Sequence, residues 1–313
     1  MKEKPTILVI GDIMLDKYTI VGVDRVSPEA PVLVGKVARE YSTLGGCGNV
    51  VRNLRKIGIT TLCLSAIGND PDGEEVKKQL FQVCKDDSYS IPFLITTNNR
   101  TTVKQRIVAT ERQTQMLRVD YEDTTPIPFN LFTWFLEEKV SSYKVDIVII
   151  SDYAKGVVSW ELMHYLKSKG YKIIVDPKPE HGVMYNGVFM ITPNEKEWNQ
   201  MWTSSAYVHD KVDYFLVTKG SKGMELYKNN RTSDIIPGQP VEVYNPSGAG
   251  DTVVAVVSAC IAEGLSPLDS AKVANMCAAY VVTKPGTTAV SKEVFERALN
   301  EVLRQYKGLS KHL

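Results

Sequence analysis

Short, nearly unbroken apolar runs recur along the chain, each ending in glycine, aspartate, threonine or a proline turn. Thr6–Ile10 stops at Gly11-Asp12, and Asp146–Ile150, Lys172–Val175, Phe189–Ile191 and Tyr214–Val217 repeat the design further on. Such runs read as strands covered on both faces, as in a parallel sheet. Between and after them the period lengthens to that of helices: Asn49–Ile57 closed by Gly58, Glu74–Val83 after Asp70-Pro71-Asp72-Gly73, then Trp160–Ser168. Three more close the chain, over Thr252–Glu263, Pro267–Val282 and Lys292–Arg304. This alternation predicts an α/β domain, a mostly parallel sheet with helices on both faces.

A second pattern interrupts the first. Tyr18–Val23, Val32–Val37, Phe93–Thr97, Thr102–Ala109 and Gln115–Val119 have one polar and one apolar face, which predicts strands of a small β lid drawn from segments at about 13–42 and 91–120. A lid fits over the carboxyl edge of the sheet, where open α/β sheets bind their ligands. Repeats, low-complexity tracts and Pro/Ser-rich linkers are absent from the sequence, so residues 1–313 are expected to form a single domain.

Composition narrows the partners. The 37 basic and 36 acidic residues leave a formal charge of +1, too little to attract nucleic acid or an anionic membrane. Phosphate recognition must therefore be local. Five cysteines, odd in number, sit in or beside apolar runs without metal or redox spacing, and the four histidines form no ligand pattern. No apolar run reaches the ~20 residues of a membrane span. Met1-Lys2-Glu3-Lys4-Pro5 does not resemble a signal peptide. A cytoplasmic location is expected.

The chemistry concentrates at Asn245-Pro246-Ser247-Gly248-Ala249-Gly250-Asp251, just before the apolar helical run Thr252–Val257. Small residues there let backbone approach a ligand, and free N–H groups with the helix dipole attract anions. A carboxylate at that end is expected to be held as the anion, hence a weak base. That suits phosphoryl transfer, in which the acceptor gives up its proton late. An N-capping aspartate after a glycine turn would look the same, so the turn alone leaves both readings open.

Upstream, Gly45-Gly46, Asn49, Gly58 and Gly68 follow in order. With these two motifs the chain resembles the ribokinase-like (PfkB) carbohydrate kinases over nearly its whole length. The resemblance implies their fold, ATP and Mg²⁺ as cofactors with a monovalent cation as an open addition, and a small sugar as acceptor. It makes Asp251 the base, with Gly248, Ala249 and Gly250 as donors to the transferred phosphoryl group. Asp12, Gly45, Gly46 and Asn49 become sugar contacts. Asn194-Glu195-Lys196-Glu197 becomes the nucleotide segment, with Glu197 on magnesium through water. Thr218-Lys219-Gly220 falls over the ATP phosphates and ribose, and Asn275 near adenine. Taken as residues alone, Asn194 would equally cap a helix, and Asn275 would serve helix packing. Departures from the family pattern are Asn245, Pro246, Val51 and Val256, and the stretch between Glu197 and Phe215 is shorter than the family norm.

A more local likeness concerns the acceptor. Gly11-Asp12-Ile13-Met14-Leu15-Asp16-Lys17-Tyr18, Ser27-Pro28-Glu29-Ala30-Pro31-Val32, Ser151-Asp152-Tyr153-Ala154-Lys155-Gly156-Val157 and Asp176-Pro177-Lys178 resemble one branch of the family. Its members phosphorylate D-glycero-β-D-manno-heptose 7-phosphate for ADP-heptose and the lipopolysaccharide core. Asp16 then joins the sugar contacts. A phosphorylated sugar needs cations, and Lys104, Arg106, Lys155 and Lys178 fall on segments expected to face it. Lys104 and Arg106, two apart on a strand, share a face. Some members carry a nucleotidyltransferase after the kinase; here the kinase pattern takes up residues 1 to about 308, so a single-function kinase, or a kinase domain expressed alone, is expected. Unpaired edges of the lid strands offer a route to a homodimer. The competing readings are another sugar or nucleoside kinase and a non-catalytic binding protein on the same fold. A dinucleotide oxidoreductase needs a glycine fingerprint after the first strand, and Gly11-Asp12-Ile13-Met14 offers none.

Overall fold

The computed structural model describes residues 4–111, 114–203, 211–229 and 232–309. Thirteen strands are present among these residues: β1 (Thr6–Gly11), β2 (Ile13–Val26), β3 (Leu33–Gly46), β4 (Thr60–Gly68), β5 (Pro92–Thr97), β6 (Val103–Ala109) and β7 (Gln115–Tyr121), then β8 (Ile147–Ser151), β9 (Ile173–Asp176), β10 (Met190–Ile191), β11 (Tyr214–Thr218), β12 (Gly223–Lys228) and β13 (Thr232–Pro237). Nine of them form one sheet in the order β13-β12-β11-β10-β9-β8-β1-β4-β5. It is parallel except for the hairpin β12–β13 at one edge, antiparallel to β11 and to itself.

Alternate residues of the central strands feed two separate cores. Ile7, Val9, Cys63, Ile147 and Ile149 face α1 (Cys47–Ile57), α2 (Pro71–Cys84), α6 (Ala249–Ala262), α7 (Pro267–Val281) and α8 (Lys292–Leu309). Leu8, Ile10, Leu62, Leu64, Val148 and Ile150 face α3 (Phe129–Glu138), α4 (Trp160–Ser168) and α5 (Glu195–Thr203). Both faces are thus apolar, which explains the unbroken runs. Helix α6 is apolar all round because the sheet covers one side and α1 and α7 the other, and Val254 through Val257 are wholly buried. All five cysteines are free and buried.

The lid is a four-stranded sheet in the order β3-β2-β6-β7. Only Asp12 separates β1 from β2, and β3 runs straight into α1. The base of this second sheet therefore adjoins Asp12 and the helix carrying Asn49. The segment expected at 91–120 divides: β6 and β7 join the lid, but Pro92–Thr97 pairs in parallel with β4 and is the last strand of the main sheet. An edge strand has one face and one edge open, so it carries the mixed pattern of a lid strand without being one. Helix α3 was not foreseen; its aromatic-rich sequence has modest helix propensity and no side-chain cap, and packing of Phe132 and Leu136 holds it. Most of the gap after the nucleotide segment, residues 204–210, lies outside the described residues. No helix among the described residues is long and apolar enough to cross a membrane.

Candidate active site

Helix α6 begins at Ala249, with Gly248 as N-cap in the left-handed region at φ 82°. Asp251 is the third helical residue, so it does not cap. Its carboxylate is buried and turned toward α1 and the loop after β8. Asn49 Nδ2 donates to Oδ2 at 2.7 Å and the Tyr153 hydroxyl donates to Oδ1 at 2.8 Å. Burial pushes its pKa above the ordinary aspartate value, a rise to which nearby Asp16 adds and which Asn49, Tyr153 and Lys104 oppose. The expectation of a weak base held as the anion is thus reversed in direction. Desolvation outweighs the donors, and a buried carboxylate is the better proton acceptor.

The turn before it leaves little freedom. A Cβ on Gly248 would lie 2.8 Å from Asn49 Nδ2 and 2.8 Å from Thr287 Cγ2. Gly250 opens onto free space, and the first-turn N–H groups of a helix have no intrahelical acceptor. Only that of Ala249 is turned back, to Pro246 O at 3.3 Å. Asn245, where the family usually has Asp, accepts from Ser247 N at 2.9 Å. The side-chain oxygen that closes the turn is present in either residue.

Asp12 is spent on the protein itself. Its carboxylate accepts from the backbone of Tyr153 (2.8 Å), Lys155 (3.0 Å) and Val157 (3.1 Å), wrapping the loop after β8 around it. Burial and the neighbouring Asp152 still push its pKa up to about 6. The loop carries Ala154 at φ 54°, which costs about 1 kcal/mol for a side-chain-bearing residue, and Gly156 at φ 97°, where a Cβ would meet Thr125 O at 2.4 Å.

Around this loop the expected sugar residues converge unevenly. Asp16 binds Arg106 at 2.7 Å, and Gly45 makes room for it, since a Cβ there would lie 2.7 Å from Asp16 Oδ2. Gly46 lets the chain pass Asp12 O, where a Cβ would come to 2.3 Å. Lys155 Nζ is taken by Glu122 at 2.7 Å, and Lys178 Nζ is 4.0 Å from Glu197. Lys104 has no acidic partner within ion-pair distance among the described residues, and burial lowers its pKa. Lys104 Nζ and Lys178 Nζ lie 5.2 and 5.3 Å from the centroid of the Tyr153 ring, within cation–π range.

On the other side of Asp251 lie two cavities that share Thr218 and Gly250 in their walls. One, about 220 Å³, is lined by Asp152, Tyr153, Asp176, Lys178, Asn194 and Glu197, together with Thr218 and Gly250. The second, about 360 Å³, shares Thr218 and Gly250 and continues past Gly220 between Val241, Val243, Val253, Ala278 and Val282 to Asn275. The first is lined mostly by polar and charged side chains, the second largely by small apolar ones. Asn275 donates to Pro237 O at 2.8 Å, leaving its amide oxygen.

Asn194 and Glu197 form a reciprocal capping box at the start of α5: Asn194 N donates to Glu197 Oε2 and Glu197 N to Asn194 Oδ1, both at 2.9 Å. Glu195 and Lys196 do not line the chamber; they face a separate shallow surface with Asn199 and Gln200. Lys219 is bound to Glu225 and lines neither cavity. No cluster of three or more metal-ligating side chains occurs among the described residues. Asp176 and Glu197 share the chamber, and burial, with the charges of Asp251 and Glu197, pushes Asp176 well above the usual carboxylate range. Two carboxylates with room for water and phosphate oxygens suit magnesium, which keeps part of its hydration.

Several residues escape the sequence reading. Tyr153 and Asp176 stand inside quoted motifs, but nothing in the sequence singles them out. Asp152 accepts from His181 Nδ1 and the Tyr185 hydroxyl, both at 2.7 Å, and so fixes the root of the same loop. Arg52, half-buried, donates to Thr43 at 2.6 Å and Thr287 O at 3.3 Å, tying the lid base to the wall beside Gly248.

A family model described as pfkB family carbohydrate kinase matches residues 4–293. Among curated proteins the chain is similar to the bifunctional protein HldE of Bradyrhizobium sp. (strain ORS 278), 32% identical over 319 residues, covering 95% of this chain and 64% of that one. It is also similar to HldE of Campylobacter jejuni subsp. doylei, 34% identical over 308 residues, covering 93% and 64%. The chain thus spans a little under two thirds of the curated relatives it matches. Among solved structures, phosphofructokinase-2 from Escherichia coli in complex with potassium superposes with a TM-score of 0.78 at 17% identity, covering 96% of this chain and 99% of that one. Ribokinase from Thermotoga maritima gives 0.72 at 18% identity, covering 95% and 100%. At such identities the likeness concerns the fold.

Proposed function

The chain belongs to the pfkB family of carbohydrate kinases, and from that premise we propose that it phosphorylates the anomeric hydroxyl of D-glycero-β-D-manno-heptose 7-phosphate with ATP, giving the 1,7-bisphosphate. The observation that carries the reaction is Asp251: a buried carboxylate with raised pKa, one residue beyond Gly250, whose open backbone lines both cavities. It is the base that takes the acceptor proton. The N–H groups around Gly248–Gly250 then face the charge that develops on the transferred phosphoryl group.

Thr218 and Gly220 border the nucleotide, and Asn275 lies at the base end of the slot. Glu197 and Asp176 would hold magnesium, which supplies charge neutralisation between the phosphates. On the acceptor side Asp16, with Gly45 beside it, meets sugar hydroxyls. Asn49 holds the base and Asp12 the loop that borders the sugar. Lys104, without an acidic partner within ion-pair distance among the described residues, and Arg106, Lys155 and Lys178, which could exchange their carboxylates for a phosphate, are cations an unphosphorylated sugar would not need. This supports a phosphorylated acceptor, and the sequence likeness supports heptose. A monovalent cation belongs to the same reading. So does a homodimer through the lid, whose exposed Val26, Val32, Leu33, Val37 and Leu117 would be covered by a second copy.

The test is a phosphorylation panel of heptose 7-phosphate, the dephosphorylated heptose, fructose phosphates, ribose and adenosine with ATP and magnesium. Heptose 7-phosphate should have the highest kcat/KM and yield the 1,7-bisphosphate. Equal rates with the dephosphorylated heptose would overturn the assignment of the acceptor.

A further inference from the structure

Tyr153 is the one side chain that reaches the carboxylate of Asp251 from the loop after β8, and its hydroxyl donates to Oδ1 at 2.8 Å. The other oxygen is held by Asn49 at 2.7 Å. The backbone of Tyr153 is not free to drift. Its own N–H is bound to Asp12, as are those of Lys155 and Val157, and Ala154 N is bound to Asp152 Oδ1 at 2.8 Å. Its ring has Lys104 Nζ, from β6, and Lys178 Nζ, from the loop after β9, at 5.2 and 5.3 Å from the centroid. The hydroxyl is thus aimed by a fixed main chain and a ring in contact with two cations. It is a neutral donor, since burial and the charge of Asp251 hold its own pKa well above the ordinary tyrosine value.

We propose that Tyr153 is a positioning residue that occupies the acceptor's place on Asp251, keeping the base ionised and closed to water until the sugar hydroxyl displaces it. The inference rests on the reading of Asp251 as the base. A buried aspartate without that donor is more readily protonated, and its free oxygen can order a water molecule. Because a cleft that holds ATP and an activated water hydrolyses ATP, the hydroxyl of Tyr153 suppresses the wasteful reaction while the acceptor site is empty. The two lysines couple release to the substrate: an arriving anion draws Lys104 and Lys178 off the ring, and the ring is then free to withdraw from the carboxylate. Tyr153 itself neither gains nor loses a proton in the transfer.

The experiment is Tyr153→Phe in the full chain, which keeps the ring and its cation contacts and removes only the donor. The ratio of sugar-independent ATP hydrolysis to sugar phosphorylation should rise by about tenfold or more, the scale of one hydrogen bond to a charged group. The acid limb of the kcat/KM profile should move to higher pH. A loss that merely reflects a disordered loop would lower both activities together and leave the acid limb in place; that result, or an unchanged ratio, overturns the proposal. If the variant melts early, a second measurement serves on the unaltered protein. The Asp251 carboxyl carbon, followed by NMR, should titrate differently with and without an acceptor sugar, and an unchanged titration counts against displacement. Asp251→Asn separates the two readings. If it retains turnover, the assignment of the base fails, whereas a dead Asp251→Asn beside a silent Tyr153→Phe removes only the role of Tyr153.

Discussion

On the acceptor side of Asp251 most charged groups other than Lys104 are already matched: Arg106 to Asp16, Lys155 to Glu122, Asp12 to three backbone N–H groups. On the nucleotide side a slot of about 360 Å³ is lined by valines, alanines, glycines, Met224 and Pro246, with Thr218, Ser221, Gln239 and Asn275 as its polar side chains. The void beside Asp12, in contrast, is only about 20 Å³. The first arrangement is dense and pre-organised, so a ligand must exchange existing partners one for one. The second is roomy and places few polar demands on an occupant. Discrimination therefore resides where bonds must be traded, because a wrong sugar leaves a buried charge or donor unpaired. The nucleotide slot sets affinity with much less choice.

Asp251, where the two sides meet, should give the largest effect. Asp251→Asn should lower kcat by about 10²–10⁴-fold while ATP still raises the melting temperature; a variant retaining a tenth of native turnover would break the division of labour. Next comes Gly248→Ala, whose methyl collides with Asn49 and Thr287 from a left-handed backbone. A drop of about 10²-fold in kcat is expected, with little change in KM for ATP. Lys104→Met should raise KM for a phosphorylated acceptor by about tenfold to a hundredfold, with KM for ATP unaltered in steady-state assays. Should KM for ATP move instead, Lys104 belongs to the other side. Ala279→Phe, projecting into the apolar slot, should raise KM for ATP by about tenfold through overpacking and spare the acceptor. The smallest effect is on the pH profile. Since Asp251 must be ionised to accept a proton and its pKa is raised by burial, activity should be lost on acidification at a pH above the ordinary aspartate range. A limb at 3.8 or below would mean that the donors win over desolvation.

Much of this is legible in the sequence. The two-sided strands announced a covered parallel sheet because Ile7 and Leu8 go to different cores, and helix-forming glycine turns marked Gly46 and Gly248. The edge strand Pro92–Thr97 was misplaced because half-covered strands look alike wherever they sit. Pairing was the deeper limit. A sequence shows that Asp12, Asn49 and Lys155 are polar in apolar company, but not that Asp12 binds a loop 141 residues later or Asn49 a carboxylate 202 residues away. The sign of the Asp251 shift failed for the same reason: helix-end electrostatics is local and readable, whereas burial is contributed by elements from the whole chain. Tyr153 had no periodicity to betray it.

The lid's two longest strands, β2 and β3, 14 residues each, leave the body without intervening loops: one starts after Asp12 and the other ends where the helix of Asn49 begins. They are lever arms whose short ends are the anchor of the Tyr153 loop and the holder of the base. Any displacement of the far tip is passed along two unbroken strands to the residues around the carboxylate. Prising the lid open would therefore do more than admit solvent; it would disarm the enzyme at the moment its substrates became exposed.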